Sequence, residues 1–143
     1  MKGKTIEELQ VGVTARFSKT ITEADIYLFA GITGDLNPAH VDEEFAKNTF
    51  FKTRIAHGML TAGFISTIIG TMLPGPGSIY IRQEVNFLKP VRIGDTVTAT
   101  AEVAEVMAEK KRVRLNTFCT NQIGEVVLDG QAIVSPPRRS FSS

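Results

Sequence analysis

The sequence holds two histidines, His40 and His57, and each sits in a short polar motif. The first motif is Gly34-Asp35-Leu36-Asn37-Pro38-Ala39-His40-Val41-Asp42. It places a carboxylate and an imidazole five residues apart around a turn that Pro38 stiffens, so both side chains can converge on one small volume. Unperturbed, an aspartate carboxyl titrates at about 3.9 and an imidazole at about 6.5. Near neutral pH the first is ionised and the second gives or takes a proton. Such a pair can hold one water, deprotonate it and deliver a proton elsewhere. Spacing alone also admits a structural reading, in which Asp35 closes an Asx-turn and His40 packs ahead of a helix cap.

The second motif is Ala56-His57-Gly58-Met59-Leu60-Thr61-Ala62-Gly63, at the start of an apolar segment. A helix beginning at Gly58 offers free backbone N–H groups that attract developing negative charge. A glycine there lets a carbonyl oxygen come close, as an enolate-stabilising donor requires. A helix that starts at glycine for packing reasons is the alternative. His57 reads as an orienting or structural residue rather than a second base. His40, Asp42 and His57 could be metal ligands by type, but without a cysteine cluster or regular helical histidine spacing no metal is expected.

The elements around these motifs follow from caps and periodicity. A short strand spans residues 13–21. Thr22 is placed as an N-cap, with Glu23 and Asp25 in the first turn of a helix over 23–32 and Gly34 as its stop. Residues 35–40 read as loop, because Asn37 before Pro38 is pushed away from helical angles. Asp42 caps a short helix over 43–47. A third helix, 58–73, is apolar all round and has to be enclosed on most sides, with Gly63 and Gly70 admitting other backbone. Pro74-Gly75-Pro76-Gly77 ends it.

Beyond residue 78 the pattern changes to period two. Ile79, Ile81, Val85 and Phe87 share one strand face opposite Tyr80, Arg82, Glu84 and Asn86. Val97, Ala99, Ala101 and Val103 form the next row, and Val126, Leu128, Ala132 and Val134 the last, with turns at Gly94-Asp95 and Asn121-Gln122-Ile123-Gly124. An enclosed helix with a long curved antiparallel sheet is an α+β hot-dog arrangement, the sheet wrapped around a central apolar helix. It forms one domain over residues 1–135, and the tail 136–143 is expected to be disordered.

Bulk properties exclude other classes. A chain of 143 residues with 43% hydrophobic side chains suits one domain with one sizeable core. A net charge of +1, with no basic block, argues against nucleic acid. The N-terminus has positive charge but no apolar stretch behind it, so no secretory signal is expected. The most apolar segment, 58–73, would reach about 24 Å as a helix, short of the roughly 30 Å hydrocarbon core, so no membrane span is expected. Cys119 is the only cysteine, which excludes an intrachain disulfide and fits a reducing compartment, the cytoplasm. Alternation puts it on the face of Val113 and Leu115, as a buried structural thiol.

The paired motifs, Gly34-Asp35-x-Asn37-Pro38-x-His40-x-Asp42 and Ile55-Ala56-His57-Gly58-Met59, resemble the hydratase signature of MaoC-like proteins. Pro74-Gly75-Pro76-Gly77-Ser78-Ile79-Tyr80 and Phe87-x-x-Pro90-Val91-x-x-Gly94-Asp95 match the same family, and the resemblance spans residues 11–134. It implies a homodimeric hot-dog enzyme that hydrates trans-2-enoyl-CoA to (R)-3-hydroxyacyl-CoA. No metal is implied, and no cofactor besides the substrate's own CoA. By motif match, Asp35 and His40 do the acid–base work, Gly58 supplies the oxyanion N–H, and Asn37 orients the site. Gly58 and Met59 would meet the acyl-CoA thioester. Among apolar residues, Met59, Leu60, Phe64, Ile26, Phe29 and Phe50 are candidates for pocket or core. An exposed sheet edge and a partly uncovered apolar helix also favour a homodimer. Alternatives are a 3-hydroxyacyl-[acyl carrier protein] dehydratase, a hot-dog acyl-CoA thioesterase, and a non-catalytic acyl-CoA-binding protein.

Overall fold

The computed structural model describes residues 2–139. A 3-10 turn, Ile6–Glu8, leads into β1 (Thr14–Thr20) and α1 (Glu23–Thr33). Two one-turn helices follow, α2 (Pro38–Val41) and α3 (Glu43–Ala46), then the long α4 (Gly58–Thr71). Strands β2 (Ile79–Phe87), β3 (Thr96–Met107), β4 (Arg112–Thr120) and β5 (Val126–Ser135) complete the fold. The five strands make one sheet in the order β1-β3-β4-β5-β2, antiparallel throughout. One face of the sheet packs on α4, which is the expected α+β hot-dog arrangement.

Local chemistry sets the helix ends. The Thr22 hydroxyl accepts the Asp25 N–H at 3.2 Å, and the Asp25 carboxylate accepts the Thr22 N–H at 2.9 Å, a reciprocal capping box. Gly34 ends α1 in the left-handed region, φ 82°, where its N–H reaches the Ala30 carbonyl.

The core lies between α4 and the sheet. Phe64, Ile65, Ile68 and Ile69 of α4 are buried together with Val97, Ala99, Ala101 and Val103 of β3. The small side chains at Ala99 and Ala101 let the helix settle close to the strand. Phe64 meets Phe17 of β1 edge-on, ring centroids 5.6 Å apart. Cys119 is fully buried on β4 beside the Thr61 carbonyl, and burial pushes its thiol up to about 12, as a structural thiol requires.

Three expectations are corrected. The sheet covers one side of α4 and leaves Met59, Gly63, Ser66 and Gly70 on an outer stripe, with no atom within 4 Å of where a Cβ at Gly63 or Gly70 would lie. On β2 the register slips between Tyr80 and Arg82, so a bulge at Ile81 splits the expected row, with Val85 and Phe87 kept inward and Tyr80 in place of Ile79 and Ile81. Tyr80, Gln83, Val85 and Phe87 border a groove along α4, while Ile79 and Ile81 face outward. On β5, Val126 turns outward and Val127 is buried, beside a second slip between Cys119 and Thr120. After β5, Pro136 is buried and Pro137 lies against the positions where side chains at Gly3 and Gly77 would be. Residues 140–143 lie outside the described part.

Candidate active site

The segment from Gly34 to His40 is held by a chain of short-range bonds. The Asp35 N–H reaches the Thr33 hydroxyl, and Asp35 Oδ1 accepts the Asn37 N–H at 3.3 Å. Asn37 Oδ1 then accepts the Ala39 N–H at 3.0 Å and caps α2, with Pro38 in its first turn. The expected loop is therefore a helical turn in its second half. The restriction before proline falls on Asn37, and an N-cap residue needs non-helical angles in any case. Asp35 does make the Asx-turn of the structural reading. That bond engages one carboxylate oxygen, and the other has no hydrogen-bond partner among the described residues.

His40 emerges from α2 half-buried, its Nδ1 2.7 Å from the Ile55 carbonyl. A carbonyl only accepts, so Nδ1 carries the proton and Nε2 holds the available lone pair. Ile55 is itself fixed, its N–H bonded to the Ala39 carbonyl and the residue bridged to Arg92. His57, almost fully buried ahead of α4, places Nε2 2.9 Å from the Asp35 carbonyl. Its ring lies against that of His40, centroids 3.9 Å apart and planes tilted by 31°.

One ligand-type atom from each of Asp35, His40 and His57 falls within 4.8 Å of the other two. That span suits a single bridging water.

The pair opens onto a cavity of about 570 Å³ lined by Phe50, Phe51, Met59, Phe87, Leu88 and Val127, among others. A mostly apolar pocket of this size with a few converging polar groups is what a small-molecule site requires. Of the apolar candidates, Phe50 and Met59 line it, whereas Ile26 and Phe64 belong to the core. Gly58, first residue of α4, borders the cavity with an N–H at a helix start, where intrahelical acceptors are absent. A Cβ at Gly58 would lie 2.5 Å from the Phe87 ring, so the glycine allows close packing there.

Several positioning groups were missed in the sequence. Phe87 lines the cavity, a role that strand alternation alone does not signal. Arg54, mostly buried, bonds Glu23 of α1 at 2.8 Å, Glu43 of α3 at 3.1 Å and the Tyr27 hydroxyl at 2.8 Å. These bonds hold both carboxyls below the usual range: hydrogen bonding from Arg54 leads at Glu23, and from the Thr53 hydroxyl at Glu43. Arg92 donates to the Phe51 carbonyl at 2.6 Å and ties down the phenylalanine wall. Their separations in sequence are long, and nothing local signals them.

The fold and this site define a protein of the MaoC-like class, and comparison with known proteins agrees. Residues 6–124 match the model of the MaoC like domain family. A protein of Rhodospirillum rubrum named (R)-specific enoyl-CoA hydratase is 57% identical over 93% of this chain and 92% of its own length. A 3-hydroxybutyryl-CoA dehydratase of Methylorubrum extorquens is 54% identical over 93% of this chain and 84% of its own. The solved R-hydratase PhaJ1 of Pseudomonas aeruginosa, unliganded, superposes with a TM-score of 0.91 at 42% identity, covering 99% of this chain and 93% of that one. The chain belongs to the MaoC-like family.

Proposed function

We propose that this protein is an (R)-specific enoyl-CoA hydratase, a hydro-lyase that reversibly adds water to trans-2-enoyl-CoA to give (R)-3-hydroxyacyl-CoA. The observation that carries the reading is the convergence of the Asp35 carboxylate and the His40 imidazole at the mouth of an apolar cavity, beside the start of α4.

In the hydration direction, the thioester oxygen accepts the Gly58 N–H and the enoyl chain enters the apolar cavity past Met59. Water sits between Asp35 and His40. Asp35 takes one proton, the oxygen attacks the β-carbon, and negative charge moves to the thioester oxygen, where the helix N-terminus stabilises it. That proton passes from Asp35 to the Nε2 lone pair of His40, and His40 delivers it to the α-carbon as the enolate collapses. Both groups then stand as they began, so one water is consumed and the pair shows no net change. Asn37 orients the pair by capping α2.

This chemistry requires no metal and no cofactor beyond the CoA of the substrate. A homodimer is supported by the edge position of β2, its outward Ile79 and Ile81, and the uncovered stripe of α4. Among the described residues no helix is long and apolar enough to cross a membrane. The cytoplasmic reading rests on the lone buried thiol of Cys119 and on a CoA-linked substrate.

Loss of enoyl absorbance with crotonyl-CoA tests the activity, and a free-thiol assay in parallel separates it from a thioesterase. Hydration without thiol release supports the reading. Thiol release without hydration overturns it.

A further inference from the structure

We infer that His57 is a positioning residue for both members of the pair, clamping Asp35 through its main chain and backing the ring of His40. The inference rests on the reading of Asp35 and His40 as the acid–base pair, and it assigns His57 no contact with substrate.

Three observations carry it. First, the hydrogen bonds of Asp35 to Thr33 and Asn37 are local, and its link to a distant element among the described residues is the Nε2–H of His57 to its carbonyl at 2.9 Å. That bond anchors an exposed residue, next to a left-handed glycine, onto the start of the rigid helix α4. Second, the His57 ring stacks on His40 at 3.9 Å and packs against Phe29 of α1 at 4.7 Å. The stack joins α1, α2 and α4, and with the Ile55 bond it fixes the plane in which His40 Nε2 points. Third, His57 Nδ1 is buried without a hydrogen-bond partner among the described residues. A buried lone pair disfavours folding, and an apolar ring of similar shape would avoid it. A histidine here is therefore explained by its Nε2 donor and its flat face rather than by stability. The one proton of the neutral ring is committed to the Asp35 carbonyl, so the ring is not a third proton-transfer group.

Chain geometry separates this role from simple packing. Glutamine carries its amide nitrogen about as far out as histidine Nε2 and can still reach the Asp35 carbonyl, while asparagine carries its amide nitrogen at the reach of Nδ1 and cannot. The experiment compares His57→Gln, His57→Asn and His57→Phe in the full chain, with kcat and KM for crotonyl-CoA hydration and thermal unfolding of each. Asp35→Asn and His40→Gln are run beside them. His57→Phe is expected to unfold no earlier than the parent while its kcat falls about ten- to a hundredfold, the scale of a misplaced reacting group, with KM within about threefold. His57→Gln should recover most of that loss and His57→Asn little of it. The inference is overturned if His57→Phe keeps kcat within about twofold of the parent while Asp35→Asn and His40→Gln are inactive. It is equally overturned if asparagine restores activity as well as glutamine, a comparison that stands even if the phenylalanine variant does not fold. Full activity in Asp35→Asn and His40→Gln would instead sink the underlying assignment of the pair.

Discussion

His40 donates from Nδ1 to the carbonyl of Ile55 at 2.7 Å, and this one bond decides which nitrogen faces the cavity. The acceptor is a backbone group held by its own pairing with Ala39 and Arg92, so the tautomer is set by the fold. His40 Nε2 is thereby left with an available lone pair, in a ring that converges with the Asp35 carboxylate.

From this arrangement, Asp35→Asn and His40→Gln should each lower the hydration rate by about a hundred- to ten-thousand-fold, the usual contribution of a general acid or base. Both variants should stay folded, since Asp35 is exposed and asparagine keeps an oxygen for the Asx-turn. Steady-state kinetics together with circular dichroism check this. Near-parent rates in both folded variants would remove the pair from the mechanism.

At Gly58 the expected effect has two sources. A methyl group there would meet the Phe87 ring at 2.5 Å, and such overpacking costs about 1–3 kcal/mol. Gly58→Ala alone should therefore lower both melting temperature and activity. Adding Phe87→Leu should restore the melting temperature. Activity should recover only in part, because the same methyl group crowds the place of the thioester oxygen. Full recovery of both would show that Gly58 serves packing alone.

The Arg54 cluster makes a prediction about pH. Glu23 and Glu43 are held below the ordinary carboxylate range in the folded state, so their contribution is fully present above that range and is lost as pH falls through their lowered values. Arg54→Met should lower the melting temperature at neutral pH. It should also flatten the decline in melting temperature between about pH 5 and pH 3, relative to the parent. Parallel pH profiles for the two proteins would count against the cluster as a clamp between α1 and α3.

Cys119 should resist thiol reagents in the folded protein, since it is fully buried and its thiol is pushed up to about 12. Titration with a chromogenic disulfide reagent should give no reaction until denaturant is added, then one thiol per chain. Rapid native-state labelling would contradict the packing described on β4.

Much of this was legible in the sequence because it is encoded locally. The Thr22 cap, the Gly34 stop, the Asp42 cap and the buried rows of β3 each follow from a residue type and its near neighbours. The convergence of Asp35 with His40 was readable for the same reason, since Asn37 and Pro38 build the turn between them. What escaped depends on partners far along the chain. The bulge at Ile81 arises from pairing with β5, the clamp at Arg54 from three separate segments, and the wall at Phe51 from a guanidinium at Arg92. The outer stripe of α4 escaped because hydropathy shows that a helix is apolar and not which neighbour covers it.

The central claim is tested most directly by the configuration of the product formed from crotonyl-CoA. With Asp35 and His40 on one side of the bound enoyl group and Gly58 holding the thioester oxygen, the hydroxyl and the α-proton arrive on the same face. The hydrated product should be a substrate for an (R)-specific 3-hydroxyacyl-CoA reporter and inert to an (S)-specific dehydrogenase, and hydration in deuterated water should show syn addition. An (S)-product, or addition to opposite faces, would contradict the placement of the catalytic pair.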